Sequence, residues 1–319
     1  EHIKTLVLDE YDKSLEIGFD KEMSEIINAL PNIKQRILTS ATSYAKIPEF
    51  VGLNKPVFIN YIKENSSKLT FKTIISEEKD KLRALEKSLT YIGNKPGIIF
   101  CNYKDALERI STFLNNNNIS HQCFHGGMEQ IDRERALIKF RNGTNQLLLA
   151  TDLASRGIDI PEIKFILHYH LPLQDKEFTH RNGRTARMNQ DGISYILNWK
   201  EDELPDFIND LEPEVINIDN ENISKLDSNL NWNTLYISGG RRDKISKGDI
   251  VGLFIKQGGI KKEQLGVIEI KQNCSYASVD SSMTEQIIDK TNNTRLKKKK
   301  VRITVIWYDY KLLFKHNID

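Results

Sequence analysis

The sequence predicts parallel-sheet α/β domains followed by a smaller α+β module, and three observations lead to this prediction. Through the first two hundred residues, short apolar runs alternate with stretches of helical periodicity, which is typical of βαβ units and a parallel sheet. From Thr234 onward the strands become short and alternate in polarity, in the order β-α-β-β-α-β of a ferredoxin-like module. The length of 319 residues suits two domains, with a third if one of them is small.

Residues 1–61 are predicted to form part of a parallel sheet. Their apolar runs, at Leu6–Leu8, Arg36–Leu38 and Pro56–Asn60, are expected to be strands buried on both faces. Apolar side chains at positions 23, 26, 27 and 30 have the spacing of one helix face. Residues 62–71 are polar and contain lysine, so we expect a linker between domains there.

Residues 72–200 repeat this alternation over a longer stretch and predict a complete parallel-sheet domain. The spacing of leucine and isoleucine predicts helices around residues 82–92 and 107–114. The predicted strands, in chain order, are Gly97–Cys101, His121–His125, Gln146–Thr151, Phe165–Tyr169 and Ile193–Leu197. Residues 201–231 are acidic and rich in asparagine, which favours a solvated helix and a linker.

Residues 232–308 are predicted to form the ferredoxin-like module, and residues 309–319 a tail. The predicted strands are Thr234–Ser238, Gly266–Lys271, Tyr276–Asp280 and Val301–Ile306, with helices near Lys247–Gln257 and Ser282–Thr291. The same strand and helix order occurs in RRM-like modules. Paired aromatic residues on the central strand are weakly represented, since Tyr276 alone lies near the expected place. Base stacking on the sheet is therefore a weaker expectation than charge-based binding.

Bulk composition indicates a globular chain, with 39% hydrophobic and 28% charged residues. No apolar run reaches the ~20 residues of a membrane-spanning helix, so we expect no membrane partner. Cys101, Cys123 and Cys274 lack metal-ligand spacing, which favours small buried residues in a reducing, cytoplasmic compartment. Residues 232–319 carry 17 Lys and Arg against 9 Asp and Glu, whereas the rest carries 29 against 35. The C-terminal segment is thus the candidate for polyanion binding.

Carboxylates follow the first apolar strand, in the string Thr5-Leu-Val-Leu-Asp9-Glu10-Tyr11-Asp12. About thirty residues later a second apolar strand ends in Ser40-Ala-Thr42. Acidic residues at the carboxyl end of a strand can hold magnesium and order a water molecule beside a nucleotide. Taken alone, the acidic string is equally compatible with a turn that caps a helix.

Two further strings contain basic residues at short spacings. Leu149-Ala-Thr151-Asp152-Leu-Ala-Ser-Arg156-Gly157-Ile-Asp159 follows a predicted strand, and His180-Arg181-Asn-Gly183-Arg184-Thr-Ala-Arg187 follows later. On a helix, Arg184 and Arg187 would lie on one face at i and i+3, as two guanidinium groups directed at one phosphate would. The bland alternatives are an ion pair in a turn for the first string and a solvated basic helix for the second.

In this order, the four strings resemble motifs II, III, V and VI of the DEAD-box RNA helicases. The resemblance implies a partial RecA-like domain at residues 1–61, a complete second RecA-like domain at 72–200, and ATP and magnesium as cofactors. It implies that Asp9 binds magnesium and that Glu10 orients and deprotonates the attacking water. Asp12 would bond to Ser40 and Thr42, and Tyr11 replaces the usual alanine of the family.

The resemblance also assigns roles in the second domain. Asp159 would contact the ATP ribose, Arg184 and Arg187 the γ-phosphate, and Arg181 the carboxylate motif across the cleft. Asn182 replaces the usual isoleucine. Contacts to RNA are implied for Gly126, Gly127, Gln130, Arg133, Thr151, Arg156 and Gly157. Glycines there let backbone approach phosphates, although a pair of glycines before a helix is usually a tight turn.

No G-x-x-x-x-G-K-[ST] phosphate-binding loop occurs in the 319 residues, and the family carries this loop upstream of the carboxylates. We therefore expect an N-terminally truncated fragment that begins just before motif II and is inactive by itself. The parent protein would be an ATP-dependent RNA helicase. A non-catalytic RNA-binding or remodelling scaffold is the alternative, and a DNA helicase is a weaker third reading.

The C-terminal module resembles the RNA-binding domain of DbpA-type helicases. The resemblance implies a monomer that binds RNA, namely 23S-type large-subunit ribosomal RNA, within ribosome assembly intermediates. The residues expected to contact RNA are Arg241, Arg242, Lys244, Lys247, Lys297, Lys298, Lys299 and Lys300. Specificity is expected from the loop at residues 239–244, from Lys247 and from the sheet around Tyr276. A plain basic fold with a solvated lysine run remains an open alternative.

Overall fold

The computed structural model describes residues 2–11, 18–40, 47–60, 68–152, 160, 163–186, 191–218 and 231–306. The chain divides into two compact units, Glu1–Asn65 and Ser66–Asp319. No helix in these ranges is both long enough and apolar enough to cross a membrane.

The first unit contains a parallel strand pair, as predicted. Strand β1 (Thr5–Leu8) pairs in register with β2 (Gln35–Leu38), and helix α1 (Asp20–Asn28) lies between them in the sequence. The expected two-sided burial is wrong: alternate side chains are exposed along both strands, including Val7 at 55%. The predicted strand at residues 56–60 is wrong as well, because this segment is irregular and its apolar side chains are exposed. Within the described ranges, no third strand pairs with β1 or β2.

The second unit begins with a seven-stranded sheet in the order β5-β6-β4-β7-β8-β3-β9. All of its pairings are parallel, as the alternation predicted. The strands are β3 (Leu69–Ser76), β4 (Gly97–Phe100), β5 (Gln122–Phe124), β6 (Leu147–Ala150), β7 (Phe165–His168), β8 (Gly192–Trp199) and β9 (Glu214–Ile216). The helices are α2 (Leu82–Ile92), α3 (Lys104–Asn116), α4 (Gln130–Arg141), α5 (Asp175–Asn182) and α6 (Asp206–Asn209).

Burial explains which strands the sequence revealed. Every side chain of β4, β6 and β7 is buried, which produces the continuous apolar runs of a sheet covered on both faces. Strand β3 begins at Leu69, inside the stretch expected to be a linker, and β9 lies inside the acidic stretch at residues 201–231. Strand β9 is an edge strand whose first two side chains are exposed, so it carries no apolar pattern. A Lys72–Glu214 ion pair of 3.0 Å accompanies its pairing with β3.

The C-terminal module has the predicted β-α-β-β-α-β order. Its antiparallel strands are arranged as β11-β12-β10-β15, which matches a ferredoxin-like sheet. The strands are β10 (Trp232–Ile237), β11 (Leu265–Ile270), β12 (Ser275–Asp280) and β15 (Ile303–Val305). Helix α7 (Lys247–Gly252) continues as a π-helical turn to Gln257, and α8 is Thr284–Thr291. The lysine run forms a hairpin of β13 (Arg295–Leu296) and β14 (Lys299–Lys300), which the sequence did not predict.

Candidate nucleotide and RNA sites

The carboxylate site lies where β1 ends. The side-chain hydroxyl of Thr39, which follows β2, donates to an Asp9 carboxylate oxygen. The Glu10 backbone N–H lies 3.2 Å from the same carboxylate oxygen and 3.3 Å from the Thr39 hydroxyl. Parallel pairing brings the two strand ends together, as expected for carboxyl ends at one sheet edge. Sequence reasoning missed Thr39, although it directly precedes Ser40.

Tyr11 and Ser40 are the described neighbours of the carboxylate site. Tyr11 is buried, with 8% exposure, and its backbone N–H donates to the Thr39 carbonyl at 3.2 Å. The side chain at the family's alanine position therefore packs into the unit. Ser40 is half-buried directly after Thr39. Asp12 and Thr42 lie outside the described residues, so the predicted bonds of Asp12 to Ser40 and Thr42 stay predictions.

Arg181 occupies a different place from the one predicted. Its side chain is fully buried, and the guanidinium forms a bidentate pair with Asp152 at 2.6 and 3.0 Å. It also donates to the His170 carbonyl and to the Asn102 side-chain oxygen, both at 2.8 Å. A side chain with 0% exposure cannot reach a carboxylate in another domain. The expected contact with the carboxylate motif, and with it a direct role in binding nucleotide, is wrong, because partners within its own domain take up these donors.

The buried Arg181 affects two histidines nearby. Burial, reinforced by the guanidinium charge, lowers the pKa of His168 to about 3. Burial, reinforced by Lys81 and Arg181, lowers the pKa of His170 to about 4. The ring of His168 stacks on Phe178 with centroids 4.7 Å apart, and its Nε2 lies 3.3 Å from the Asn182 side-chain oxygen. Asn182 at the family's isoleucine position thus supplies a polar partner to a buried neutral histidine.

Arg184 does not lie on a helix. Helix α5 ends at Asn182, and Gly183 follows as its C-terminal cap. Thr185 then forms an isolated bridge to Ile163, whose carbonyl accepts from the Thr185 hydroxyl at 2.7 Å. The expectation of a helix through Arg184 is therefore wrong, whereas the spacing of Arg184 from Arg187 stays a prediction. Arg184 is half-buried in the turn, and Arg187 lies outside the described residues.

Of the residues predicted to contact RNA or ATP in motif V, Thr151 lies within the described ranges. Thr151 follows β6, and its backbone N–H donates to the Phe124 carbonyl at 3.2 Å. Arg156, Gly157 and Asp159 lie outside the described ranges. Asp152, which sequence reasoning noted without a role, is the residue that pairs with Arg181.

The predicted RNA-contacting segment lies at the beginning of α4. Gly126, Gly127 and Gln130 are exposed, and Arg133 is half-buried. The Gly127 N–H donates to Nδ1 of His125 at 3.2 Å, so this amide is already used within the turn. A Cβ atom at Gly126 would meet nothing within 4 Å. Open space at Gly126 leaves room for a ligand there.

In the C-terminal module, a basic loop spans residues 239–244; its two glycines are buried, and Arg241, Arg242 and Lys244 are exposed. A Cβ atom at Gly240 would come within 2.5 Å of the Lys271 carbonyl oxygen, so glycine is required by close packing. The backbone N–H groups of Arg241 and Arg242 donate to the carbonyls of Lys271 and Gln272, both at 3.0 Å. These bonds fix the backbone of the loop while both arginine side chains remain exposed.

The lysine run divides into two kinds of residue. Lys297 pairs with Asp249 at 2.8 Å, and Lys299 pairs with Asp243 at 2.8 Å. These bonds lower the pKa of both carboxyl groups. Lys298 and Lys300 are exposed and, like Lys247, have no ion pair within the described residues. Two of the four lysines thus hold the hairpin to the module.

The sheet around Tyr276 is covered. Tyr276 has 5% exposure and Ser278 has none, although both lie on the face opposite the apolar core of the module. The Ser278 hydroxyl donates to the Asn142 carbonyl at 2.9 Å, and the hydroxyls of Thr144 and Thr234 lie 2.7 Å apart. The second RecA-like domain therefore occupies this face, and the expected RNA contact there is wrong.

Comparison with known proteins defines the class of the chain. Residues 1–50 match the family model for the DEAD/DEAH box helicase, and residues 80–189 match the helicase conserved C-terminal domain. Residues 234–305 match the DbpA RNA binding domain. The chain belongs to the DEAD-box ATP-dependent RNA helicases.

Within this class the chain is of the DbpA type. It is 29% identical to the ATP-dependent RNA helicase DbpA of Bacillus subtilis, covering 95% of this chain and 69% of that protein. It is 27% identical to DbpA of Escherichia coli, with 95% and 68% covered. The fold matches Saccharomyces cerevisiae Dbp5 bound to RNA and ADP BeF3 with a TM-score of 0.58 at 22% identity. That match covers 69% of this chain and 61% of the Dbp5 chain.

Proposed function

We propose that this chain acts within an ATP-dependent RNA helicase that remodels structured ribosomal RNA of the large subunit. The observation that carries the proposal is a rigid, exposed basic loop on a module packed against a helicase domain. Arginine side chains on a fixed backbone can fit a folded RNA, whereas exposed lysines neutralise phosphates without reading sequence. The DbpA-type class of the module favours ribosomal RNA over other structured RNAs.

The carboxylate site fits a magnesium ion, because hard oxygen donors are the ligands that Mg²⁺ prefers. Asp9 would hold the ion, which supplies charge neutralisation at the ATP phosphates. Glu10 would orient the attacking water and accept its proton. Thr39 holds the Asp9 carboxylate through its hydroxyl, and it therefore positions this site.

Arg184, Arg187 and Asp159 are proposed to contact ATP, the arginines at its γ-phosphate and Asp159 at its ribose. The segment from Gly126 to Arg133 would hold RNA together with Thr151, Arg156 and Gly157. We propose that the protein acts as a monomer in the cytoplasm, on ribosome assembly intermediates.

Competition binding tests the proposed RNA target. The chain is titrated with a labelled fragment of large-subunit ribosomal RNA against a scrambled RNA of equal length, without ATP. We expect the ribosomal fragment to bind at least about tenfold more tightly, a difference of ~1.4 kcal/mol. Replacing Arg241 and Arg242 with Gln should remove this preference. Equal affinity for both RNAs would leave a generic electrostatic tether and contradict the proposed target.

Phosphate release tests the proposed chemistry in this chain joined to an upstream segment that carries a phosphate-binding loop. Glu10→Gln should lower RNA-stimulated turnover by roughly two to four orders of magnitude. Glu22→Gln is the matched control, because Glu22 is exposed on α1. Near-normal turnover in the Glu10 variant would favour the non-catalytic RNA scaffold over the helicase.

A further inference from the structure

One face of the C-terminal sheet is built for protein contact. Glu269, Tyr276 and Tyr236 are cross-strand neighbours on the face opposite the apolar core. Glu269 places a carboxylate where an RNA-binding sheet would meet phosphates, and like charges repel. Ser278 and Thr234, farther along the same face, offer short hydroxyl groups that suit close packing of backbone.

An ion pair joins this face to α4. Arg141, the last residue of α4, forms a bidentate pair with Glu269 at 2.7 and 2.9 Å. Both side chains are less than one-fifth exposed. Lys271 lies 2.6 Å from Glu134 on the same helix and 3.8 Å from Glu269. Bidentate pairs of this kind are among the stronger and more directional contacts in proteins.

The turn after α4 completes the contact. The Asn142 carbonyl and the Thr144 hydroxyl bond to the module, and the Trp232 ring lies against Gly143, where an added Cβ would be 3.9 Å away. The Asn142 side chain is buried without a hydrogen-bond partner in the described structure. Such a buried amide opposes docking, because its desolvation is not compensated. The few favourable contacts therefore decide whether the module stays docked.

We propose that the outer face of the module's sheet is a docking surface for α4 and the turn at residues 142–144, with the Arg141–Glu269 pair setting its register. The module and the second RecA-like domain then move as one body. RNA binding is left to the rim of the module, at the basic loop and the lysine hairpin.

Docking also fixes where an RNA bound to the module reaches the second RecA-like domain. This consequence rests on the proposed function. Lys271 contacts Glu134 through its ammonium group, while its carbonyl accepts from the Arg241 N–H. Gln130 lies one helical turn before Glu134, about 6 Å along the axis. The basic loop and the first turn of α4 are thus held at a set separation, so that one RNA can span both at a single spacing.

A charge reversal tests the docking without RNA or ATP. Trp232 is made the only tryptophan by changing Trp199 and Trp307 to Phe, and its quenching by acrylamide is measured in the full chain. Arg141→Glu and Glu269→Arg should each raise the quenching constant about twofold, and the double variant should restore it, as for a directly coupled pair. Lys200→Glu is the matched control, because it makes the same charge change at an exposed pair with Glu77.

The docking is refuted if the Arg141 and Lys200 variants quench alike, or if the double variant fails to restore the original constant. A second arm measures affinity for RNAs in which zero to about ten nucleotides separate a hairpin from a single-stranded segment. The unmodified chain should show one optimal spacer, about tenfold above the poorest, and Arg141→Glu should flatten the profile to within about twofold. A flat profile in a chain whose Trp232 is protected would overturn the fixed spacing. Absence of RNA binding at every spacer would instead refute the proposed function.

Discussion

Replacing Arg181 with Met should strongly lower the free energy of unfolding of the second RecA-like domain. Methionine keeps an apolar stem of similar length but leaves Asp152, the His170 carbonyl and the Asn102 oxygen without their donors. Losing the hydrogen bonds of Arg181 to three acceptors costs about 3–5 kcal/mol in all, although Asp152 is one-third exposed, so that solvent compensates part of its charge. For a domain of this size, such a loss lowers the Tm by roughly 6–20 °C.

Urea unfolding measures this loss, followed by the fluorescence of Trp199 at the end of β8 in a chain whose Trp232 and Trp307 are changed to Phe. Arg109→Met is the control, because the Arg109–Asp80 pair is exposed and its loss should cost less than about 1 kcal/mol. Combining Arg181→Met with Asp152→Asn should cost less than the sum of the single changes, by at least about 1 kcal/mol.

The result also separates a structural role from a nucleotide-binding role. A side chain that contacts ATP across a cleft can be removed with little effect on the free energy of unfolding without nucleotide. The buried pair predicts the opposite. If Arg181→Met lost less than about 1 kcal/mol, the reasoning from burial would be refuted and the contact with the carboxylate motif would regain support.

Three further predictions follow from exposure, pairing and protonation. Gly126→Ala should lower RNA affinity several-fold and leave the urea midpoint unchanged, since no atom of the chain lies near the added Cβ; unchanged affinity would place RNA elsewhere. Changing both Lys298 and Lys300 to Gln should reduce the slope of log K against log salt by about 1.4–1.8, whereas the other two lysines of the run should chiefly affect the stability of the hairpin in urea. Because the native pKa of His168 is lowered to about 3, the unfolded state binds more protons below pH 6.5, so the free energy of unfolding should fall by roughly 3 kcal/mol from pH 6.5 to pH 4. His168→Leu should remove that part of the pH dependence in urea titrations, and an equal fall in this variant would assign it to other groups.

The sequence predicted the parallel sheet and the ferredoxin-like module well, because burial on both faces leaves continuous apolar runs. It missed β9, since an exposed edge strand carries no such run. It also extended a helix through Arg184, because the bridge that draws Thr185 out of the helix depends on Ile163, distant in the sequence. The local sequence pattern therefore predicted the strands of the core correctly. It failed where a residue distant in the sequence determines the local structure.

The same limit explains the errors in the candidate sites. The sequence of a motif does not show whether its charged residue is buried or exposed. For Arg181 the burial depends on a partner, Asp152, that lies 29 residues away. Tyr276 was expected to meet RNA because its strand position is the usual one, but the contacts that cover its sheet come from residues more than a hundred positions earlier. The position of the carboxylates was easier to predict, since Asp9 and Glu10 are adjacent and directly follow a strand; their catalytic role stays a prediction.

Pairing also changes what the charge of the C-terminal segment implies for RNA. The excess of 17 basic over 9 acidic residues counts cations that are committed within the protein, such as Lys297 and Lys299 with their aspartates. Counterions leave the RNA only where a lysine or arginine that is available for contact neutralises a phosphate. The net charge of the segment therefore overstates the number of phosphate contacts. Arg241 and Arg242 remain exposed on a fixed loop. Since the paired lysines hold that part of the module in shape, they act on RNA indirectly, by preserving the loop geometry on which selective binding depends.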